Sequence, residues 1–137
     1  MSLAKAVGIN HVSLEVGNIA EAIAFYSSFL SFEVDDLSEE RVSIELGDQF
    51  IALTKGRIQD SDGDRHFGLV VDDKEKVRAR LVELGIPLLP GRFLGFLDPW
   101  GNHVEIAGYG NIRFAKTATV LESMGLTDLR KAAAPAI

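Results

Sequence analysis

Two stretches decide the fold: Ile9-Asn10-His11-Val12-Ser13-Leu14 and, 55 residues later, Asp64-Arg65-His66-Phe67-Gly68-Leu69. Each opens a short run in which polar and apolar residues alternate, and each is followed by an amphipathic segment. Alternation with a period of two predicts a β-strand with one apolar face, and apolar residues spaced by three and four predict a helix packed on a sheet. The repeat therefore predicts two equivalent half-domains, each beginning with a strand that carries a histidine.

The first half-domain is predicted to be a β-α-β-β-β module over about 7–56. Asn18, with Glu21 three residues later, is typical of a helix cap, and Gly47-Asp48 is typical of a tight hairpin turn. The four predicted strands are 10–16, 32–37, 41–46 and 49–55.

The second half-domain, about 65–109, repeats this order after a polar linker at about 57–64. Asp72 or Asp73 is expected to cap its helix, and Gly85 to end it. The four predicted strands are 66–71, 87–89, 92–97 and 103–109. The pattern as a whole predicts an α+β fold of two modules.

The tail, 110–137, carries apolar residues at helical spacing, so we expect one extra helix near 115–124 and frayed residues at 132–137. Its stripe of Val120, Leu121 and Met124 needs a partner surface. A neighbouring subunit and the open side of the sheet are the two candidates, and we favour the subunit.

Composition limits the class of protein. The chain has 137 residues, of which 47% are hydrophobic and 25% charged, a balance typical of a globular protein with one domain's worth of chain. Its net charge is −6 and it has no Lys/Arg-rich run, which argues against a nucleic-acid or membrane partner. It has no cysteine, so disulfides, thiolate ligands and a cysteine nucleophile are excluded. Without an apolar leader or a run of transmembrane length, a cytoplasmic location is expected.

The repeat also predicts a metal site. Alternation places His11 and Ser13 on one face of the first strand, and His103 and Glu105 on one face of the last. If the halves pack about a pseudo-two-fold axis, His11, His66 and Glu105 could meet around one divalent ion. Imidazole and carboxylate ligands without thiolate suit Mn, Fe, Co, Ni, Mg or Zn. The alternative is that each histidine is a hydrogen-bonded core or surface residue and that Glu105 faces solvent.

The closing motif Asp98-Pro99-Trp100-Gly101-Asn102-His103-Val104-Glu105, with the paired modules and their histidines, resembles the vicinal oxygen chelate superfamily. That group includes glyoxalase I, bleomycin-resistance proteins, extradiol dioxygenases and fosfomycin-resistance enzymes. The resemblance spans about 7–107. It implies βαβββ modules that form a cupped mixed sheet, often in a dimer, with a divalent metal in the cup. His11, His66 and Glu105 match three metal-ligand positions of the superfamily.

Departures from the superfamily's pattern argue against some of its known reactions. Glyoxalase I adds a fourth ligand, a glutamate, at the position of Ala52, and a methyl group cannot bind a metal. The resemblance therefore disfavours glyoxalase I activity. Ser13 matches a hydroxyl residue of the fosfomycin-resistance enzymes, but Gly95 replaces their tyrosine, so phosphonate recognition is unsupported. His103 is the one candidate for the acid/base histidine of extradiol dioxygenases, against the alternative of a turn-capping role. Ser13 and His103 are therefore the candidate catalytic residues.

The resulting hypothesis is a metal-dependent enzyme that acts on a small, oxygen-bidentate substrate by dioxygenase, lyase or thiol/water-addition chemistry. One alternative is a non-catalytic, bleomycin-resistance-type protein that binds a drug or metabolite. Another is a metal-free regulatory domain. The expected partners are a small-molecule substrate and a second copy of the chain.

Overall fold

The computed structural model describes residues 2–132, which contain two β-sheets and three α-helices. The elements are β1 (His11–Val16), α1 (Ile19–Ser27), β2 (Glu33–Asp35), β3 (Arg41–Glu45), β4 (Phe50–Lys55), β5 (Phe67–Val71), α2 (Lys74–Glu83), β6 (Leu94–Leu97), β7 (His103–Gly108) and α3 (Ala118–Ser123). A single 3-10 turn, Tyr109–Asn111, precedes α3. The predicted α+β architecture with a C-terminal helix is confirmed.

The two sheets have matching topology. Their strand orders are β1-β4-β3-β2 and β5-β7-β6, and in each the first strand of the module pairs in parallel with the last. The remaining pairs are antiparallel. The two halves of the repeat in the sequence therefore fold with the same strand topology. Within the described residues the modules form two sheets of four and three strands, with β1 and β5 at their edges.

The predicted register of the first module is confirmed. Leu14 and Val16 are buried in the core, while His11 and Ser13 are exposed on the opposite face of β1. β4 lies beside β1 with Ala52 opposite Ser13, so Ala52 is on the histidine face and Ile51 is on the core face.

A single apolar core joins the two modules. Helix α1, from the first module, packs against the sheet of the second. The rings of Phe25, in α1, and of Phe29, just after it, lie 6.0 and 5.2 Å from the ring of the fully buried Phe96. Aromatic rings at such distances contribute about 0.5–1.5 kcal/mol beyond the area they bury. The position of each sheet is consequently fixed by the other module.

The predicted helix boundaries are largely confirmed. The Asn18 side chain accepts a hydrogen bond from the Glu21 amide at 2.8 Å at the start of α1, and Asp73 caps α2 in the same way through Lys76. Gly85, with φ of +72°, follows the end of α2 in the left-handed conformation that glycine adopts at low cost.

One predicted strand is wrong. Residues 87–89 are not a strand, so the second module has three strands instead of four. Pro87 has no amide hydrogen to donate, and Pro90-Gly91 turns the chain away immediately afterwards. Only the Leu89 amide retains a strand-like bond, to the Gly95 carbonyl at 2.8 Å.

The apolar stripe of α3 contacts its own chain in part. Leu121 is buried, and Val120 and Met124 pack on the β3–β4 turn of the same chain. Their fit depends on Gly47 (φ +90°), where an added Cβ would lie 2.5 Å from Met124 Sδ. Leu121 is therefore covered within one chain, while Val120 and Met124 are only half-buried, and a second subunit as the rest of their cover stays a prediction. Of the expected frayed end, 133–137 lies outside the described residues.

No helix in the described residues combines the length and the apolar character needed to cross a bilayer.

Candidate metal centre

The turn before β7 fixes where that strand begins. One carboxylate oxygen of Asp98 accepts hydrogen bonds from the amides of Trp100 and Asn102, at 3.0 and 2.9 Å. The other accepts from the Asn102 side chain and from the Tyr26 hydroxyl, both at 2.8 Å. Asp98 and Asn102 are buried, so this fully bonded network holds the turn rigidly. Because β7 begins at His103, directly after this turn, the network also fixes the position of the first residues of β7.

Tyr26 contributes a buried hydroxyl to the network. Burial, reinforced by the adjacent Asp98 carboxylate, raises the pKa of Tyr26 far above its ordinary value. The phenol therefore stays protonated and donates its hydrogen bond throughout the ordinary pH range.

Three side chains converge at the start of the second sheet: His66, His103 and Glu105. Their ligand atoms all lie within 4.8 Å of one another. His66 Nε2 is 3.4 Å from Glu105 Oε2, and the two imidazole rings are 5.0 Å apart between centroids. His103 and Glu105 are two residues apart on β7 and so share a face, while His66 immediately precedes β5, the neighbouring strand.

The linker sets the orientation of both histidines. His66 Nδ1 lies 2.7 Å from the carbonyl oxygen of Asp64, and His103 Nδ1 lies 2.8 Å from that of Gly63. A carbonyl can only accept a hydrogen bond, so Nδ1 carries the proton in each ring. In a neutral imidazole this leaves the Nε2 lone pair free, which is the arrangement found in metal-binding histidines.

Arg57 ties the linker to the turn. Its nearly buried guanidinium donates to the side-chain oxygen of Asn102 and to the carbonyls of Gln59 and Asp60, and it pairs with Asp62 at 3.5 Å. The side chains of Arg57 and Asp62 are only 6% and 14% exposed, so solvent screens this pair less than an exposed one.

Asp62 extends this connection to β7. Its amide donates to the Gly101 carbonyl at 2.8 Å, and its second carboxylate oxygen accepts from the His103 amide at 3.4 Å. The linker that carries the Gly63 and Asp64 carbonyls is therefore hydrogen-bonded to the turn before β7 and to the first residue of that strand.

Glu105 has a glycine on each side. Gly68 pairs with it on β5, and Gly95 pairs with it on β6. A Cβ at Gly95 would lie 3.4 Å from His103 Nε2 and 3.6 Å from Glu105 Cγ, whereas one at Gly68 would meet nothing within 4 Å. The carboxylate consequently has open space beside it.

The structure does not bring His11 into the group of three. The His11 ring is exposed and stacks on Phe50 at 4.8 Å between centroids. The Asn10 side-chain amide lies 2.9 Å from His11 Nδ1. An amide NH₂ donates, so Nδ1 accepts and Nε2 carries the proton, the opposite tautomer to that of His66 and His103.

Ser13, the other sequence-predicted candidate for catalysis, lies near the histidines. Ser13 and Glu15 of β1 line a small cavity of about 170 Å³ together with Arg65, His66 and His103. Both sequence candidates for catalysis, Ser13 and His103, therefore face one space. The sequence indicated that His103 shares a face with Glu105, but the two linker carbonyls have no signature in the sequence.

A second, larger cavity of about 720 Å³ lies on the core side of the first sheet. Its walls are apolar and include Leu14, Phe29, Ile44, Leu53 and Leu69. Its polar lining is mainly acidic and contains Glu33, Glu45, Asp72 and Asp73 with the single basic residue Lys76.

A family model described as the Glyoxalase/Bleomycin resistance protein/Dioxygenase superfamily matches residues 8–106. The chain belongs to this superfamily. The match extends over both modules and contains the three converging residues as well as His11. Membership of the glyoxalase superfamily supports vicinal oxygen chelate metal chemistry as the general class, and the described residues supply a possible His-His-Glu ligand group.

Solved structures agree with this assignment. A lactoylglutathione lyase from Agrobacterium tumefaciens is 21% identical, covers 81% of this chain and 100% of its own, and has a TM-score of 0.64. A genomically encoded fosfomycin resistance protein from Listeria monocytogenes is 19% identical over 76% and 94% of the two chains, with a TM-score of 0.62. A glyoxalase/bleomycin resistance protein/dioxygenase from Alicyclobacillus acidocaldarius is 20% identical over 74% and 91%, with a TM-score of 0.58.

At these identities the three likenesses establish the fold and not an activity. Curated protein sequences gave no significant match.

Proposed function

We propose that this protein is a divalent-metal-dependent enzyme of the vicinal oxygen chelate type, acting on a small molecule that binds through two neighbouring oxygen atoms. The observation that carries the proposal is the spacing of His66 Nε2 and Glu105 Oε2, at 3.4 Å in a glycine-flanked space.

That spacing suits two ligands of one ion and is longer than a charge-assisted hydrogen bond. A charge-assisted N–H···O bond is typically about 2.7–2.9 Å long. Two ligands that each lie about 2.0–2.1 Å from a tetrahedral ion are about 3.3–3.4 Å apart. Nitrogen and oxygen donors without thiolate also suit a catalytic ion more than a closed structural zinc site.

His66 and Glu105 are supported as ligands more directly than His11. All three remain in the proposal, since the resemblance matches them to three metal-ligand positions of the superfamily. Binding by His11 requires its ring to leave Phe50 and to exchange its tautomer, because the Asn10 amide occupies Nδ1. His66 needs neither change.

The chain's own residues define how a substrate would be held. A bound ion would polarise the substrate oxygen atoms. Gly68 and Gly95 leave room beside Glu105 for those oxygens. The Ser13 hydroxyl lines the adjoining cavity and can donate a hydrogen bond to the substrate, while Arg65 adds positive charge there. Glu15 lines the same cavity and offsets that charge, so these features suit a neutral, diol-like molecule.

The reaction is proposed to be of the dioxygenase, lyase or thiol/water-addition type. Ala52 disfavours the glyoxalase I reaction, because its methyl group lies on the histidine face, where a fourth carboxylate ligand would be needed.

Metal content tests the proposal. Protein purified without chelator should contain close to one divalent ion per chain when its metal content is measured by elemental mass spectrometry. The double variant His66→Ala, Glu105→Ala should contain none. A screen of the loaded protein against diols, hemithioacetals and epoxides then identifies the reaction. A chain that neither retains nor binds any of Mn, Fe, Co, Ni, Mg or Zn would refute the proposal.

The large acidic-lined cavity favours one alternative, a non-catalytic protein of the bleomycin-resistance type. A cavity of about 720 Å³ is within the size range of small-molecule sites, and its four carboxylates favour a cationic ligand. Bleomycin binding by metal-free protein, lost on filling the cavity with Leu69→Trp, would support this alternative. Bleomycin titration calorimetry with no detectable heat would remove it.

We also propose a homodimer. Leu3, Val7 and Ile9 precede β1 and are 90%, 96% and 73% exposed, which leaves apolar surface for a second copy to cover. Light scattering should give twice the 14.9 kDa chain mass, and a monomer at micromolar concentration would contradict the proposal.

A further inference from the structure

A row of small side chains crosses the face of the first sheet that carries His11. Ser13 on β1, Ala52 on β4 and Ser43 on β3 are paired in register, so their side chains point to the same side of the sheet. Ala52 and Ser43 are only 3% and 4% exposed, although Ala52 is not part of the apolar core, which lies on the other face. These small residues therefore form the floor of a depression outside the core.

Longer side chains stand on both sides of this floor. The registered row on one side is His11, Phe50 and Glu45, and the row on the other side is Glu15, Thr54 and Arg41. Because the two rows are four residues apart along each strand, or roughly 13 Å between Cα atoms, the space between their side chains suits one narrow molecule. We call this space, with its floor of Ser13, Ala52 and Ser43, the slot.

One end of the slot opens at the candidate metal centre. Ser13 lines the small cavity together with His66. His11, the proposed ligand from the first module, is two residues from Ser13 and on the same face of β1. A molecule that binds the ion through two oxygens can therefore extend over Ala52 towards Ser43, which lies two strand spacings, or roughly 10 Å, from Ser13.

Ser43 supplies a hydroxyl at the far end of the slot. Among the described residues no fully buried side-chain polar atom lacks a hydrogen-bond partner, and the Ser43 hydroxyl bonds to none of these residues. The small exposed part of Ser43 must therefore include its hydroxyl. This group opens onto the slot and can bond to a molecule that lies there.

Negative charge surrounds that hydroxyl. Asp35 pairs in register with Ser43, and Glu33 pairs with Glu45 on the same face. Arg41 adds one guanidinium to these three carboxylates. Carboxylates directly opposite each other on neighbouring strands destabilise a sheet, and a cation placed between them relieves that repulsion. The far end of the slot consequently suits a protonated amine.

We propose that the slot holds the rest of the metal-bound substrate, and that this part ends in a protonated amine bound by Ser43 and Glu45. Ala52 and Ser43 are then specificity-determining residues, because the Ala52 methyl group keeps the floor low beneath the middle of the molecule. The inference rests on the proposed function and deepens it, since it names the class of substrate as a diol-like molecule with an amine at its other end. The two-module ligand set is unchanged.

Two diol probes test the inference on the full chain loaded with Co²⁺. Dopamine has two neighbouring ring hydroxyls and an amine, whereas 4-ethylcatechol has the same hydroxyls and no amine. In titration calorimetry the unaltered chain should bind dopamine about tenfold more tightly, because the amine adds a charge-assisted hydrogen bond. Ser43→Ala and Glu45→Gln should each reduce this preference by about threefold or more, with Co²⁺ affinity unchanged. Ser27→Ala, an exposed serine at the end of α1, is the matched control and should keep the full preference.

Ala52→Val tests the floor of the slot. Its larger side chain should weaken both probes to a similar extent, because it stands beneath the ring that they share. Unchanged binding of both probes in this variant would overturn the inference. Equal affinity for the two probes in the unaltered chain would also overturn it, as would a preference that survives in full in Ser43→Ala or Glu45→Gln.

The same titrations separate this inference from the proposed function. A chain that binds Co²⁺ but neither probe would overturn the inference and leave the proposed function standing. A chain that binds no divalent ion would mean that the proposed function itself fails.

Discussion

At the scale of single residues, the Asp62 side chain connects the linker to the backbone of a histidine of the candidate metal centre. It pairs with Arg57 and accepts a hydrogen bond from the His103 amide. We expect Asp62→Ala to weaken Co²⁺ binding about tenfold, since residues that orient ligands typically contribute 10–100-fold in affinity. Isothermal titration calorimetry measures the effect.

Asp60→Ala is the matched control, because it removes the same charge from the same linker. Arg57 binds the carbonyl of Asp60 and not its exposed carboxylate. Equal losses in the two variants would mean that linker charge, and not the position of Asp62, governs metal affinity.

Tyr26 should make stability sensitive to alkaline pH. The pKa of Tyr26 is raised in the folded chain, so the folded state keeps the phenol proton where the unfolded state, which titrates near the ordinary tyrosine value of 10.0, loses it. This contribution to stability is complete below about pH 10 and declines as pH rises above it. Urea unfolding between pH 8 and 11 should show that decline, and Tyr26→Phe should reduce it.

At neutral pH, Tyr26→Phe should also lower the free energy of unfolding by about 1.5–3 kcal/mol, since it removes a hydrogen bond to a charged carboxylate. Tyr109→Phe is the control for the alkaline effect, because it removes the chain's other tyrosine. If the two variants showed the same pH dependence, Tyr26 would not be its source.

At the scale of elements, α3 should stabilise the first module without affecting the metal centre. Leu121 is 8% exposed, and α3 packs on the β3–β4 turn. Its Met124 lines the large cavity, whereas His66 and His103 line the small one. We expect Leu121→Ala to cost about 2–4 kcal/mol of unfolding free energy, with Co²⁺ affinity unchanged. Glu122→Ala, an exposed change in the same helix, should have little effect. A metal-binding defect in Leu121→Ala would connect α3 to the site.

Elements with a strong local pattern could be predicted from the sequence, and those without one could not. Alternating polarity located β1, and Asn18 and Gly85 marked helix boundaries. The segment 87–89 has apolar residues but also Pro87, which cannot donate a ladder hydrogen bond, and Leu89 alone keeps one, to Gly95. The pattern of polar and apolar residues does not show whether burying these apolar side chains outweighs the missing hydrogen bond at Pro87.

At the scale of the whole molecule, metal binding should stabilise the fold, because an ion that binds only the folded chain shifts the unfolding equilibrium. At an ion concentration 100 times its dissociation constant the gain is about 2.7 kcal/mol. Thermal unfolding with and without Co²⁺ measures it. The double variant His66→Ala, Glu105→Ala should show no gain, and a gain of equal size in that variant would place the ion elsewhere.

The candidate site was predicted in part. The repeat indicated that two histidines and Glu105 belong together, and the structure brings His66 and Glu105 into one group while leaving His11 outside it. His103 entered that group through contacts with backbone carbonyls of the linker. Such contacts depend on how Arg57 folds the linker onto the turn, a long-range effect that the spacing of residues does not encode.

The two glycines beside Glu105 imply that the protein gives up stability for space. Neither Gly68 nor Gly95 has a positive φ, so the backbone would accept a larger residue at both positions, and glycine within a strand is unfavourable by roughly 0.5–1 kcal/mol relative to alanine. Gly68→Ala should therefore raise the melting temperature by a few degrees. Gly95→Val should crowd His103 and weaken Co²⁺ binding. At these two positions a larger side chain would raise stability but reduce the space for a bound molecule. Scanning calorimetry for the melting temperature and titration calorimetry for Co²⁺ affinity, on both variants, would measure the two effects.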